Sequence, residues 1–347
     1  MSWSMCPSRT LPGILLLGVS LLGGCGGETG TGPPPEAQMS ATARNYLNAA
    51  LDIMQSHSIN RYKINWPTFR ERAFGEAGPA QTTADTYNAI RFALRELGDN
   101  HSLFRPPGGQ AQNVVGPSLL VRAPSAKHLG EDMGYVAVSA FSGGGDEANA
   151  LAINYHRMIE GVDTLGVCGW VVDLRGNTGG NMWPMVAGVG PIVGEGVLGF
   201  FVDPDSVVNT WTYQDGSSRV DGVVVTQVSD PYGLIARNPP VAVLTDSLTA
   251  SSGEATTIAF RGRPDSRSFG GSTWGVSTAN RGFPLSDGAT IILTVSTMAD
   301  RTGRLYGEKV VPDEPVQGGK TGDPATDLPL AAAMDWLREH PACGEIG

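Results

Sequence analysis

Small residues crowd one serine in this chain. The stretch Leu244-Thr245-Asp246-Ser247-Leu248-Thr249-Ala250-Ser251-Ser252-Gly253-Glu254 follows an apolar run, Pro240 to Leu244, and precedes a segment of helical character, Glu254 to Phe260. Small side chains let the backbone turn sharply and leave a hydroxyl clear at a helix N-terminus, a setting in which serine serves as a nucleophile. Such a serine needs a base, and a neutral imidazole is the usual one near neutral pH. Of the histidines His57, His101, His128, His156 and His340, His101 stands apart by its setting. It lies in the polar turn Asp99-Asn100-His101-Ser102, just past a helix end at Gly98, and is followed by Phe104 and a glycine loop. A third turn, Arg175-Gly176-Asn177-Thr178-Gly179-Gly180, ends the apolar run Val167 to Leu174. Glycines at a strand end let backbone N–H groups face a cleft, where they suit an oxyanion. A phosphate site is disfavoured, because the turn has neither a Gly-Lys-Ser/Thr ending nor GxGxxG spacing.

These turns need elements to carry them. Ala41 to Met54 and Thr83 to Leu97 have apolar residues near helical spacing, with a shorter helix, Phe69 to Phe74, between them. Ser118 to Arg122 and Gly134 to Phe141 read as extended, and Asp146 to Gly161 as a helix. Val167 to Leu174 is a buried strand before the glycine turn, and a helix from Met182 to Ile192 follows it. A hairpin is expected from Asn209 to Tyr213 and Val220 to Val228, around Asp215-Gly216. Strand Val241 to Leu244, the serine turn, a helix, strands Ser266 to Gly270 and Thr290 to Ser296, and a closing helix Leu328 to Leu337 complete the pattern. Strand alternating with helix makes the chain α/β, with an N-terminal helical subdomain.

Composition narrows the function. With 347 residues, 41% hydrophobic and 17% charged, the chain is a folded protein of one large or two modest domains. A net charge of −10 and the lack of any Lys/Arg cluster argue against nucleic acid as a partner. There is no metal-ligand spacing such as HExxH or paired CxxC, and no cofactor fingerprint. Leu11 to Leu22, with Arg9 ahead of it, is an apolar run of about a dozen residues, short for a membrane span and right for a signal-peptide core. It ends in Leu22-Gly23-Gly24-Cys25, which resembles a bacterial lipobox with Cys25 as the lipid-attachment residue. Residues 26–37 read as a flexible tether. Only Cys168 and Cys343 remain beyond it. Cys168, in an apolar run, reads as a small buried hydrophobe, and their pairing is not legible.

Four segments together resemble the S41 peptidases, the group of the C-terminal processing proteases and the tricorn-type proteases. They are Leu97-Gly98-Asp99-Asn100-His101-Ser102, Val172-Asp173-Leu174-Arg175-Gly176-Asn177-Thr178-Gly179-Gly180, Thr249-Ala250-Ser251-Ser252-Gly253-Glu254 and Val311-Pro312-Asp313, in the family's order. The resemblance implies a crotonase- or ClpP-like core of mixed sheet and helices over residues 105–347, after a helical subdomain over 38–104. It places the nucleophile on Ser251 and oxyanion donors on Gly179, Gly180 and the amide of Ser252. The processing proteases carry a lysine base in a Thr-Phe-Gly-Lys-Gly segment; here the matching stretch is Ser272-Thr273-Trp274-Gly275-Val276-Ser277. Valine takes no proton, so the base falls to His101, as in the tricorn-like branch. In that branch a serine beside the histidine and a late acid complete a tetrad, for which Asn100 or Ser102 and Glu308 are the candidates. Glu254, in turn, suits a cap on the first helical turn after the nucleophile. The interval from Phe104 to Gly134 is too short for the PDZ domain of the processing branch.

The resulting expectation is a lipid-anchored serine peptidase of the cell envelope, facing periplasm or exterior and acting on a peptide or unfolded protein, with no cofactor. Two alternatives stand beside it: a non-proteolytic binding module on the same fold, and a hydrolase of small esters or amides. Oligomeric state is not legible.

Overall fold

The computed structural model describes residues 38–109, 112–113, 123–130, 132–165 and 167–344. The expected signal peptide, lipobox with Cys25 and tether, and the strand expected over 118–122, lie outside them.

The N-terminal part is helical: α1 (Ala41–His57), α2 (Trp66–Ala77) and α3 (Tyr87–Glu96). The side chains of Ser40 and Asn65 accept from Ala43 N and Thr68 N, capping α1 and α2. Pro67 in the first turn of α2 needs no donor there, so the helix starts earlier than its apolar residues alone indicate. Next come β1 (Leu103–Arg105), β2 (Gln112–Asn113), β3 (Ser125–Leu129), β4 (Met133–Ala137) and α4 (Gly145–Val162). Strand β5 (Gly169–Asp173) leads through the glycine turn to α5 (Met182–Gly188) and α6 (Gly190–Val193). The expected single helix thus breaks at Val189, whose ψ of 9° leaves the helical range before Gly190 and Pro191.

A meander follows, β6 (Gly196–Val202), β7 (Val208–Gln214), β8 (Ser217–Val220) and β9 (Val223–Gln227). The expected strand Val220 to Val228 is two strands. Asp221 and Gly222, both at positive φ, make a second hairpin turn like Asp215 and Gly216. The chain ends with β10 (Val241–Thr245), α7 (Ser252–Ala259), β11 (Ser266–Gly270), β12 (Thr278–Pro284), β13 (Thr290–Asp300), β14 (Glu314–Pro315), α8 (Leu328–Glu339) and α9 (Pro341–Gly344).

Two sheets result. One has six strands in the order β14-β11-β10-β5-β4-β3, parallel except for β3. Its central strands β5 and β10 are buried at every residue, as parallel strands covered on both faces must be. The other has eight strands, β2-β1-β13-β6-β7-β8-β9 with β12 also on β13, all paired antiparallel. A core containing Trp170, Met185, Leu198, Trp211, Val243, Ile258 and Met298 joins the sheets through α5 and α7. A second core packs Leu47, Leu51, Ile90 and Leu94 of α1 and α3 against Leu285, Ile291 and Leu293 of the β12–β13 hairpin. Asp287 at that hairpin's tip accepts from Tyr46 Oη at 2.7 Å and Tyr87 Oη at 2.6 Å. The division expected after residue 104 falls inside β1, which pairs with β13, so the helical part and the antiparallel sheet share one core.

On the outer face of the parallel sheet, α8 packs over Leu244, Phe269 and Cys168. Cys168 forms a disulfide with Cys343 across 175 residues. This corrects the reading of Cys168 as a small hydrophobe alone: β5 and α9 bring the two cysteines together, a proximity that sequence spacing does not display. Closing so long a loop stabilises the fold by about 2–4 kcal/mol. Reduction is therefore expected to lower Tm in circular-dichroism melts while leaving the site at the opposite end of β5 intact. An unchanged Tm on full reduction would show that the crosslink contributes nothing.

Candidate active site

The serine turn begins where β10 ends. Asp246 Oδ1 accepts from Leu248 N and Thr249 N, both at 3.0 Å, and from Gly176 N at 3.0 Å, so one carboxylate shapes this turn and holds the neighbouring glycine turn. Thr249 Oγ1 donates to Leu174 O at 3.0 Å and Ala250 N to Asn177 O at 2.9 Å. Ser251 then adopts φ 52° and ψ −113°, outside the regions comfortable for a residue with a Cβ, and α7 starts at the next residue. Gly253 has to be glycine, because a Cβ there would stand 2.6 Å from Asn177 O.

Glu254 holds the strained residue in place. Its carboxylate is fully buried. Oε2 accepts from Ser251 N at 2.8 Å and Val276 N at 3.0 Å; Oε1 accepts from Thr273 Oγ1 at 2.5 Å and Gly275 N at 3.0 Å. Burial raises the pKa of this carboxyl, while those same hydrogen bonds oppose the rise. Four donors aimed at two oxygens suit an ionised, acceptor-only group. Val276, where the processing branch has lysine, is buried, and its amide is part of this arrangement.

His101 arrives from the other sheet. Asp99 Oδ1 accepts from His101 N at 2.9 Å and Ser102 N at 2.7 Å, and Oδ2 from Ser102 Oγ at 2.7 Å. Ser102 Oγ in turn accepts from Thr294 N of β13 at 3.0 Å. Asn280 Nδ2 of β12 donates to His101 O at 3.0 Å. So held, the ring places Nε2 2.9 Å from Ser251 Oγ and Nδ1 2.8 Å from Thr278 Oγ1. A proton on Nδ1, donated to Thr278, leaves Nε2 free to accept from Ser251, the tautomer a general base needs. Desolvation pushes the His101 pKa down to about 4, against an upward pull from Asp99. The imidazole is thus neutral at neutral pH.

The structure brings Ser251, His101 and Ser252 together and leaves Glu308 aside. The second contact of the ring, where a catalytic acid was expected, is Thr278, a hydroxyl at the start of β12. Glu308 meets this region through its carbonyl, which accepts from Ser277 Oγ. The reason is topological: β12 runs under the His101 turn, while the loop bearing Glu308 packs one residue earlier, on Ser277. Ser102 points to Asp99 and Thr294, away from the ring, and Asn100 sits exposed at φ 56°. Thr278 carried no sequence signal, since an isolated threonine before a weakly patterned strand is unremarkable. Glu254 behaves as the cap expected of it.

The glycine turn also needs one correction. Gly179 N donates to Asn177 Oδ1 at 3.0 Å, so that amide is occupied. Among the described residues no acceptor meets Gly180 N or Ser252 N. Ser252 Oγ donates to Gly180 O at 2.8 Å, which joins the two segments. Gly179 keeps space instead: at φ 95°, a Cβ on it would stand 2.8 Å from Ser251 Cβ and 3.1 Å from Ser252 N. Beneath the turn, Arg175 bridges Asp173 and Asp327 with Nε and both terminal nitrogens, and Tyr135 Oη and Lys320 Nζ also reach Asp173. Burial alone raises Asp173, but its bonds to Arg175 and the charges of Arg175 and Lys320 hold it below the ordinary value. Removing one partner of such a buried group costs about 3–5 kcal/mol.

A neutral imidazole bonded to a serine hydroxyl, beside two unclaimed amides, is equipped for nucleophilic attack on a carbonyl. Comparisons with known proteins place the chain among peptidases. The sequence profile of peptidase family S41 matches residues 132–316. The nisin-resistance protein of Lactococcus lactis subsp. lactis is 27% identical over 307 residues, 88% of this chain and 89% of that protein. A carboxyl-terminal-processing protease of Picosynechococcus sp. is 25% identical over 224 residues, 62% of this chain and 48% of that protein. The structure of a lipoprotein from Streptococcus agalactiae superposes with a TM-score of 0.68 at 23% identity, covering 86% of this chain and 97% of that one.

The space around Gly179 generates a prediction. Gly179→Ala should cut kcat/KM at least about a hundred-fold, the scale of losing one oxyanion donor, with the fold retained by circular dichroism. Activity near wild type would mean that the space between Gly179 and Ser252 is not where the carbonyl oxygen sits.

Proposed function

The chain belongs to peptidase family S41, and we propose that it cleaves peptide bonds through an acyl-enzyme on Ser251 with His101 as general base. The observation that supports this reading is the 2.9 Å contact between His101 Nε2 and Ser251 Oγ. His101 takes the hydroxyl proton as the oxygen attacks the peptide carbonyl. The developing oxyanion turns towards Ser252 N–H and Gly180 N–H, each such donor contributing about 2.7–4 kcal/mol. His101 then protonates the leaving amine, and a water molecule, activated the same way, releases the acyl group. Thr278 fixes the tautomer without bringing a charge, and Asp99 supplies the nearby negative charge that favours imidazolium.

The substrate is a peptide or unfolded segment outside the cytoplasm. The relative named for nisin resistance makes nisin the first peptide to test. The likeness to a lipoprotein structure and the Cys168–Cys343 disulfide favour an envelope location with anchoring at Cys25. Cys25→Ser should move the protein from the membrane fraction to the soluble one; an unchanged distribution would remove the anchor from the proposal.

The central test pairs a fluorophosphonate probe with peptide hydrolysis followed by mass spectrometry. Wild type should be labelled at Ser251 and cut peptide, whereas Ser251→Ala and His101→Ala should lose roughly ten-thousand-fold or more in kcat. Labelling without cleavage of any peptide would favour a small ester or amide hydrolase, and absence of both a binding module. The base acts when neutral and its pKa is lowered to about 4, so kcat/KM should hold from neutral pH downward and fall only as pH drops through about 4. An acid limb near 6.5, the ordinary histidine value, would contradict a desolvated base.

A further inference from the structure

Strand β12 has β13 on one side and no described neighbour on the other. Its hydrogen-bonding phase can be read from its two ends. Leu285 N donates to Ala289 O at 2.8 Å, and Ser277 O accepts from Met298 N at 3.1 Å. Main-chain bonding alternates along an antiparallel pair, so the odd-numbered residues, Ala279, Arg281 and Phe283, face β13. The register shift in this pair inserts its extra residue in β13, where Val295 is unmatched, so the phase along β12 is unbroken. The even-numbered residues Thr278, Asn280 and Gly282 therefore turn their N–H and C=O groups to the free edge. No described residue bonds those backbone groups on that side. Pro284, the next even-numbered residue, has no N–H to offer and closes the edge, as edge prolines do.

This edge starts at the proposed catalytic centre. Thr278 is its first residue, and the Thr278 hydroxyl lies 2.8 Å from His101 Nδ1. Asn280 holds the carbonyl of the same histidine. Arg281 and Gly282 are exposed, so the edge opens from the buried histidine to solvent.

We propose that the free edge of β12, from Thr278 to Gly282, is a substrate subsite that takes an extended peptide as an added strand. This rests on the reading of Ser251 as nucleophile and goes beyond it by naming what is recognised: main-chain amides at every second residue on one side of the scissile bond. Selectivity for side chains is secondary there, and helical or folded segments are excluded because their backbone groups are already paired. An exposed edge also invites a second copy of the chain, but continuity with His101 favours substrate.

Two measurements test the subsite. In the first, a synthetic unstructured peptide cleaved by the wild-type enzyme is compared with analogues N-methylated at one backbone amide each. KM should rise roughly two- to twelve-fold, the worth of one hydrogen bond, at alternate positions on one side of the cleaved bond. In the second, Gly282→Pro removes one outward N–H without touching the bonds to β13. It should raise KM for the same peptide by a similar factor with kcat unchanged. Gly282→Ala retains the N–H and has room, its Cβ meeting only Thr290 Cγ2 at 3.6 Å, so it should behave as wild type. The rate of Ser251 labelling by a fluorophosphonate should be the same in all three proteins, because the small probe does not need the strand. N-methylation effects with no alternation, wild-type KM in folded Gly282→Pro, or a changed oligomeric state with unchanged KM would each overturn the subsite. Loss of probe labelling in wild type would instead overturn the underlying hydrolase reading. If Gly282→Pro does not fold, the N-methyl series decides alone.

Discussion

One buried carboxylate organises this molecule's chemistry. Glu254 gathers the amide of Ser251, the hydroxyl of Thr273 and the amides of Gly275 and Val276 around two oxygens. Ser251 sits at a backbone angle that a residue with a Cβ avoids, a strain of order 1–3 kcal/mol, and its own N–H would otherwise lie unpaired at a helix start. A charged acceptor at the third position of that helix answers both needs. It also ties Ser251 to the segment 273–276, which leads into β12. The serine and the strand that supports the histidine are thus positioned from the same group.

The histidine depends on a longer chain of support. Its turn rests on Asp99, Ser102 and Thr294, and its carbonyl on Asn280. Thr294 and Asn280 belong to the β12–β13 hairpin, whose tip is held by Tyr46 and Tyr87 through Asp287 and whose apolar face fills the core of α1 and α3. Ser251 and His101 therefore come from different sheets, and the 2.9 Å between them is set by how the sheets pack through Trp170, Trp211, Ile258 and Met298. The antiparallel sheet and the helices that cover it form a platform for one imidazole.

Much of this was legible in the sequence where local pattern and structure obey the same rule. Val241 to Thr245 and Gly169 to Val172 are continuous apolar or β-branched runs and become the central parallel strands. The small residues from Thr249 to Gly253 signal a turn that tolerates no bulk, and Gly253 meets Asn177 O as that demands. What escaped notice depends on tertiary contact. Thr-Ala-Asn-Arg-Gly-Phe-Pro has no clean alternation, so β12 and the role of Thr278 were invisible. Glu308 comes close in space to the right region, yet Ser277 takes its carbonyl while the neighbouring Thr278 meets the ring. Gly179 and Gly180 look equivalent as letters, but Asn177 occupies the amide of one and leaves the other free. Cys168 and Cys343 meet only because β5 and α9 are neighbours in space.

The residues matching the S41 profile run from 132 to 316. They contain Ser251, the glycine turn, Glu254 and Thr278, but not His101, which reaches the serine from the segment before them. The part of the chain that matches the family profile thus does not contain the imidazole that meets its serine. The helical segment supplies it, along with the floor on which the β12–β13 hairpin rests. Serine and imidazole are thus contributed by two interlocked stretches of the chain, which meet through the β12–β13 hairpin and the core it shares with α1 and α3.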